Sequence, residues 1–303
     1  MSKQRIALVT GGTGFIGVNL IKRLTSAGWI VHVIVRQKSD LNVLEGSIKK
    51  ITVHKTDGHT SSLIKILAKS KPIVVFHLAS LFLAGHIPSD IVPLIKSNVI
   101  FSTQLLEAMN ESGIKNIVNT GTSWQHYENK ACSPVNLYAA TKQAFESILQ
   151  YYIEANFFKA ITLKLFDTYG PDDPRPKLFH LLEKYSNTKE PLLMSPGEQL
   201  IDIVHIDDVI DAYLIAAERL LTDQVTNHDT YAISSGCPIT LSQLVSTYEK
   251  ETNSRLPIHW GGRPYRDREV MTTWNLGEKI PGWEPKVTLS IGIKKMAYSK
   301  EAM

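Results

Sequence analysis

The stretch that most constrains the fold is "TGGTGFIG", Thr10 to Gly17. It follows an apolar, β-branched run, "RIALVT", and opens a helical pattern, "GVNLIKRLTSAG", closed by Gly28. Gly11, Gly14 and Gly17 give the spacing G-x-x-G-x-x-G. A turn of this kind lets backbone N–H groups approach a pyrophosphate at the positive end of a helix. Glycine tolerates the tight turn and the close helix–strand packing that such a site needs. Gly11, Thr13, Gly14, Phe15, Ile16 and Gly17 are therefore the candidate dinucleotide contacts.

The rest of the first half alternates short strands with helices. "IVHVIV", "KKITVHK", "PIVVFHL", "IKNIVNT" and "KAITLKLF" read as strands. Helical patterns separate them, among them a long one over "IVPLIKSNVIFSTQLLEAMNESG" and another over "NLYAATKQAFESILQYYIEA". Unbroken apolar runs suit strands covered on both faces, and the alternation implies a parallel, doubly wound sheet. Beyond Tyr169 the turn-rich "GPDDPRP" marks a change. There we expect a helix near "KLFHLLEKY", a strand "IDIVHI", a helix from Asp207 or Asp208, a strand "DTYAIS", and a helix over "TLSQLVSTYEKET" capped by Thr240 or Ser242. The expected fold is α/β: a Rossmann-type doubly wound parallel sheet over residues 1–168, with a smaller α+β substrate cap over 169–303. Segments near 200–233 are candidates to return to the first unit.

A formal charge of +4 on 303 residues, without basic clusters, argues against nucleic acid. Two distant cysteines, Cys132 and Cys237, suggest free thiols in a reducing compartment and no metal site. The N-terminus lacks a signal-peptide pattern, and no run is long and apolar enough to span a membrane, so a cytoplasmic protein is expected.

The second strand ends "VIVRQKSD". An NAD site usually has an acidic residue there for the ribose 2′-hydroxyl. Arg36 stands in its place with Lys38 nearby, two cations suited to a 2′-phosphate, so NADPH is favoured over NADH or NAD. Asp40 falls a few positions late, within reach of a shifted loop. Further on, "YAATK" sets Tyr138 and Lys142 four residues apart, on one helix face. A nearby ammonium lowers a phenol's pKa, so such a pair beside a nicotinamide can move the proton that accompanies hydride transfer.

These features resemble the extended short-chain dehydrogenase/reductase family, which acts mostly on nucleotide-activated sugars. The resemblance rests on "TGGTGFIG", "TDG" at Thr56–Gly58, "FHLAS" at Phe76–Ser80, "SNV" at Ser97–Val99, "YAATK", "TYGP" at Thr168–Pro171, "VHIDDV" at Val204–Val209 and "PGWEP" at Pro281–Pro285. It implies that Asp57 and Gly58 lie near the adenine, and that Leu78, Ala79, Ser80 and Asn98 line the cofactor. It implies further that Thr122 bonds the substrate carbonyl, with Ser123 as an alternative one position on. Tyr138 is the implied acid/base and Lys142 its partner, also on the ribose. The second half is implied to be a sugar-nucleotide cap, and the assembly a homodimer pairing two helices from each subunit.

Departures from the family pattern narrow the chemistry. Sugar dehydratases carry an acidic pair after the catalytic threonine, because elimination needs both a base and an acid. Here Ser123 and Trp124 follow Thr122. Epimerising reductases carry a cysteine where Trp124 stands and a histidine in the cap; His180 is the nearest candidate here, and Cys132 is off the motif position. Ketone chemistry at C4 is left, by reduction or by 4-epimerisation. Ile201 replaces the cap arginine that many members use for the substrate diphosphate. Arg263, Arg266 and Arg268, with Arg175 and Lys177, are the candidate replacements, alongside Asp167 and Trp124 as candidate sugar contacts. Within the family the chain is most similar to the CDP-sugar 4-ketoreductases. The expected activity is NADPH-dependent reduction of a nucleotide-linked 4-keto-6-deoxyhexose. A UDP-sugar 4-epimerase with bound NAD and a nucleotide-sensing regulator are the alternatives.

Overall fold

The computed structural model describes residues 4–186 and 188–301. The first half runs β1 (Ile6–Thr10), α1 (Phe15–Ser26), β2 (Ile30–Arg36), β3 (Ile51–Thr56), α2 (Thr60–Ser70), β4 (Val74–His77), α3 (Ile91–Ile95), α4 (Phe101–Glu111), β5 (Asn116–Thr122), α5 (Leu137–Asn156) and β6 (Lys159–Leu165). The second half adds β7 (Asp167–Tyr169), α6 (Leu178–Ser186), β8 (Leu192–Met194), β9 (Leu200–Ile201), β10 (Ile203–His205) and α7 (Ile206–Leu221). It ends with β11 (His228–Ile233), β12 (Ile239–Thr240), α8 (Leu241–Thr252), β13 (Ile258–Trp260) and α9 (Leu289–Glu301).

Seven strands form one sheet in the order β11-β6-β5-β4-β1-β2-β3, every pair parallel. This is the Rossmann-type α/β fold expected from the alternation. The apolar runs of β1, β4, β5 and β6 are buried almost throughout, as a sheet covered on both faces requires. One face packs on α1 and α7 through Leu20, Leu24, Ile210 and Tyr213. The other packs on α2, α4 and α5 through Leu63, Leu105, Phe145 and Leu149. The strand order reverses between β1 and β4, and the crevice at their carboxyl ends is where such sheets bind ligands.

Three two-stranded ribbons, β10-β7, β12-β9 and β13-β8, build the smaller layer around Leu182, Leu192, Leu244 and Tyr248. The segment of "PGWEP" is tied to α7: Trp283 Nε1 donates to the Asp208 carbonyl at 2.8 Å, and the amides of Lys286 and Val287 donate to its carboxylate at 3.0 Å.

The long helix expected after β4 is present and runs from α3 to α4 through a π turn at Lys96–Ile100, which buries Asn98. One local expectation is corrected. α7 starts at Ile206 rather than at Asp207 or Asp208, because the His205 ring nitrogen caps it by accepting from the Asp207 amide at 3.2 Å. Both aspartates then lie in the first turn, facing the positive end of the helix. At α8 the cap is Thr240, in a capping box with Gln243.

Candidate active site

The glycine turn is shaped by contact, not only by flexibility. Gly11 has φ +72°, and a Cβ there would lie 2.6 Å from the Ala79 amide. A Cβ on Gly17 would collide with the Gly11 carbonyl. Gly14 caps α1 without a side-chain hydrogen bond, and no acidic residue occupies the first turn. The leading N–H groups of α1 are thus open to an anion, which fits a dinucleotide pyrophosphate.

A buried polar chain locks this turn to the end of β4. Thr10 Oγ1 accepts from the Ala79 amide at 3.2 Å and pairs with His77 Nδ1 at 2.8 Å. His77 Nε2 pairs with Ser102 Oγ of α4 at 2.9 Å. Burial, with a smaller push from the Lys142 charge, drives the His77 imidazole down to about 3, so it is neutral. Asn98 continues the clamp. It holds both backbone groups of Leu81, at 2.7 and 3.0 Å, and donates to Thr141 Oγ1 of α5 at 2.9 Å. Ser80, beside it, donates to Asn98 Oδ1 at 3.2 Å. Leu78, Ala79 and Ser80 are thereby fixed at the crevice.

Arg36 and Lys38 are exposed at the end of β2, with Arg36 in register with Thr56 of β3. Among the described residues neither side chain has an acidic partner. Asp40 is turned to its own loop, accepting from the Asn42 amide at 2.9 Å. Asp57 accepts from the His59 amide at 3.0 Å, which holds its carboxyl below the ordinary value, and Gly58 follows with φ +87°.

α5 starts at Asn136, whose side chain accepts from the Ala139 amide at 2.9 Å. The Tyr138 phenol is pushed up to about 12, chiefly by burial, while Ser80 and Arg175 pull against the shift. It is therefore a protonated phenol at neutral pH. Lys142, 3 % exposed, donates to the Thr120 carbonyl at 2.9 Å. Its ammonium is brought down to about 8, mainly by burial. Arg175 is one of the groups acting on the phenol, and Lys142 lies one helical turn further along α5.

The turn after β5 separates the two hydroxyls. Thr122 is 8 % exposed, and its Oγ1 accepts from the Trp124 amide at 3.3 Å, capping a short helical turn over Ser123–Gln125. Ser123 and Trp124 line the cleft instead. The structure thus turns Thr122 inward and presents Ser123, the alternative left open by the sequence. No carboxylate follows either hydroxyl within the turn.

The cleft, about 1030 Å³, lies between the carboxyl ends of β5 and β7 and the smaller layer. Sequence reasoning missed one wall of it. Phe82 meets Trp124 at 5.7 Å between ring centroids and Tyr138 edge-on at 4.9 Å. Its only signal in sequence was a large apolar residue just past a strand end. On the other side His126 stacks on Trp274 at 4.0 Å.

The cations around the cleft differ in their freedom. Arg175 is engaged by Asp173 at 2.6 and 2.7 Å and by the Thr168 carbonyl at 2.8 Å. Lys177 faces Asp167 at 3.4 Å. Arg268 donates to Ser133 and lies over the Tyr127 ring. Arg263 and Arg266 are exposed and line the cleft; the Arg266 amide donates to the Glu269 carboxylate at 3.2 Å, but among the described residues neither guanidinium has an acidic partner. His180 is exposed on α6 at the cleft, and Cys132 is an exposed free thiol.

The chain is 26 % identical over 298 residues to CDP-abequose synthase of Salmonella muenchen, covering 97 % of each chain. It is 27 % identical over 278 residues to CDP-abequose synthase of Yersinia pseudotuberculosis, covering 88 % of this chain and 91 % of that one. A UDP-glucose 4-epimerase of Cyamopsis tetragonoloba is 25 % identical over 323 residues, covering 94 % and 92 %. Among solved structures, UDP-glucose 4-epimerase of Thermotoga maritima superposes with a TM-score of 0.82 at 24 % identity, over 98 % of this chain and 99 % of that one, which shows the shared fold. The model of the NAD dependent epimerase/dehydratase family matches residues 7–232, and the chain belongs to that family.

Proposed function

We propose that the protein is an NADPH-dependent reductase of the C4 ketone of a CDP-linked 4-keto-6-deoxyhexose. One observation carries this reading: the turn after β5 presents Ser123 to the cleft and offers no carboxylate for elimination, and Phe82 of the cleft wall packs edge-on against the ring of Tyr138, a protonated phenol. A phenol that keeps its proton at neutral pH suits reduction, which consumes a proton at the new alkoxide. A reaction that opens by oxidation needs the phenolate instead. The similarity to the two CDP-abequose synthases supports the CDP-linked substrate. The free cations Arg36 and Lys38 support NADPH.

Each part of the site then has a task. The glycine turn and the leading amides of α1 would hold the pyrophosphate, Asp57 and Gly58 the adenosine end, and Leu78 to Ser80 the nicotinamide side. Bound NADPH supplies the hydride to C4. Ser123 donates a hydrogen bond to the carbonyl oxygen, and Tyr138 delivers the proton to that oxygen as charge develops on it. Lys142 lies one turn beyond Tyr138 and serves the ribose. Arg263 and Arg266 meet the substrate diphosphate, and Asp167, Trp124 and Lys177 the sugar. In this reading residues up to about 168, with β11, form the cofactor unit, and most of 169–303 the cap. The exposed Ile91, Val92, Ile95 and Ile100 on α3 and the π turn support a homodimer. Two free cysteines suit the cytoplasm.

The test offers CDP-, dTDP- and GDP-linked 4-keto-6-deoxyhexoses with NADPH or NADH and follows loss of the reduced nicotinamide. No oxidation with any of them removes the reductase reading. The second reading, a UDP-sugar 4-epimerase, draws on the similarity to the plant UDP-glucose 4-epimerase. Interconversion of UDP-sugars without added cofactor would establish it.

A further inference from the structure

Directly beneath the Ser123 turn lies a buried polar cluster that the proposed chemistry does not use. Glu146 of α5, one helical turn past Lys142, receives Lys164 of β6 at 2.8 Å on Oε1 and 2.6 Å on Oε2. The side chains of this pair are only 2 % and 11 % exposed. Gln125, fully buried, donates through Nε2 to Glu146 Oε1 at 3.0 Å and to Gln143 Oε1 at 2.8 Å. Its Oε1 accepts from the Thr122 amide at 3.0 Å. The strand is shaped around this cluster: a Cβ on Gly121 would lie 2.7 Å from Lys164 Cδ and 3.0 Å from Glu146 Oε1.

We propose that Glu146 is a positioning residue for this site: its carboxylate ties the Ser123 turn, through Gln125, to β6, and it supplies the counter-charge for the Lys142 ammonium. A buried ion pair is weak support for stability alone, since desolvation offsets most of its attraction. Here the pair joins α5, which carries Tyr138, to β6, and Gln125 links the same carboxylate to the turn that carries Ser123. Lys164 is bonded to this carboxylate, and Lys142, whose ammonium donates to the Thr120 carbonyl, lies one helical turn before it and feels its charge. Among the groups that act on Lys142, Glu146 favours the charged form, while burial and Lys164 oppose it. The other titratable groups facing the cluster are His77 of β4, His126 of the turn and His228 of β11, all held neutral by burial, and Cys132 near Lys164. The site that this serves is the one assigned under the reductase reading.

The test follows ionisation of Lys142 by NMR of isotope-labelled lysine side chains in the full-length protein, with Lys142→Arg to assign the resonance. It needs no turnover, so its failure is separate from a failure of the reductase reading. The proposal expects the titration midpoints in a charge-set order: Glu146→Gln lowest, then Glu146→Gln with Lys164→Met, then wild type, and Lys164→Met highest. Glu146→Gln alone leaves Lys164 buried without a counter-charge and can fail to fold; the double variant removes both charges and carries the test. A double-variant midpoint at or above that of wild type overturns the counter-charge role. For the turn, Gln125→Leu should lower kcat about tenfold through misplacement of Ser123 while leaving the Lys142 midpoint in place. If no sugar nucleotide is turned over, the Thr122 and Ser123 amide resonances report the turn instead. An unmoved turn in Gln125→Leu overturns the link from Glu146 to Ser123.

Discussion

The guanidinium carbon of Arg175 lies 4.6 Å from the centroid of the Phe15 ring. This contact joins the first residue of α1 to the loop after β7, so the glycine turn and the cleft share a wall. The same guanidinium pulls the Tyr138 phenol downward against burial. Arg175→Lys would keep a charge but lose the planar fork on Asp173 and the stacking on Phe15. We expect cofactor affinity to fall about tenfold, given that cation–π and forked contacts are each worth roughly 1–2 kcal/mol when partly desolvated. Calorimetric titration with NADPH reads this directly. An unchanged Kd would mean that the Arg175–Phe15 contact does not shape the cofactor turn.

Under the proposed reading, Arg36 would set the cofactor preference. Arg36→Asp places a carboxylate where the 2′-phosphate would lie and where a ribose hydroxyl could instead be bonded. The ratio of kcat/KM for NADPH over NADH should fall by about 10- to 100-fold, the scale of exchanging a charge-assisted hydrogen bond to the phosphate for one to the hydroxyl. A wild-type preference for NADH that Arg36→Asp leaves unchanged refutes the phosphate-binding role.

The nucleotide half was legible in the sequence because its constraints are local. The glycine spacing, the apolar strands and the Tyr138–Lys142 spacing each follow from neighbours along the chain, and the seven-stranded parallel sheet bears out the pattern. What the sequence concealed depends on long-range contact. Phe82 becomes a cleft wall only because the chain after β4 is clamped by Asn98, sixteen positions further on (98 − 82). The turn that buries Thr122 and exposes Ser123 to the cleft is held by Gln125 reaching across to α5, which no local pattern records. The π turn at Lys96–Ile100 likewise hides inside a good helical pattern. The short cap strands are two or three residues each, too short to show a period.

The two hydroxyls of the turn after β5 should separate cleanly on substitution. Ser123→Ala removes the donor facing the cleft and should lower kcat by about 10²–10³, the usual effect of losing one carbonyl-stabilising donor, with the unfolding midpoint little changed. Thr122→Val removes a cap to the Trp124 amide and should cost about 1 kcal/mol of stability, with kcat held within a few-fold. Steady-state rates and urea unfolding on both variants decide the matter. The reverse pattern would return the role to Thr122.

His77 gives the fold a pH dependence of known sign. Its imidazole sits near 3 in the folded chain and at 6.5 when free. Above pH 6.5 both states are neutral and its contribution is constant. As pH falls from 6.5 towards 3 the unfolded chain takes up a proton that the folded chain refuses, so stability drops, by at most about 1.4 kcal/mol per pH unit for this one group. His77→Asn should start less stable at pH 7, by about 1–3 kcal/mol, because it forfeits part of the Thr10–Ser102 chain. Its stability should then fall less steeply than that of wild type between pH 6.5 and 4, since the other titrating groups are common to both. Urea unfolding at several pH values across that window measures the difference in slope. Equal slopes would mean that the His77 imidazole accepts its proton within the fold, and that the chain from Ser102 to the Ala79 amide rearranges rather than resists.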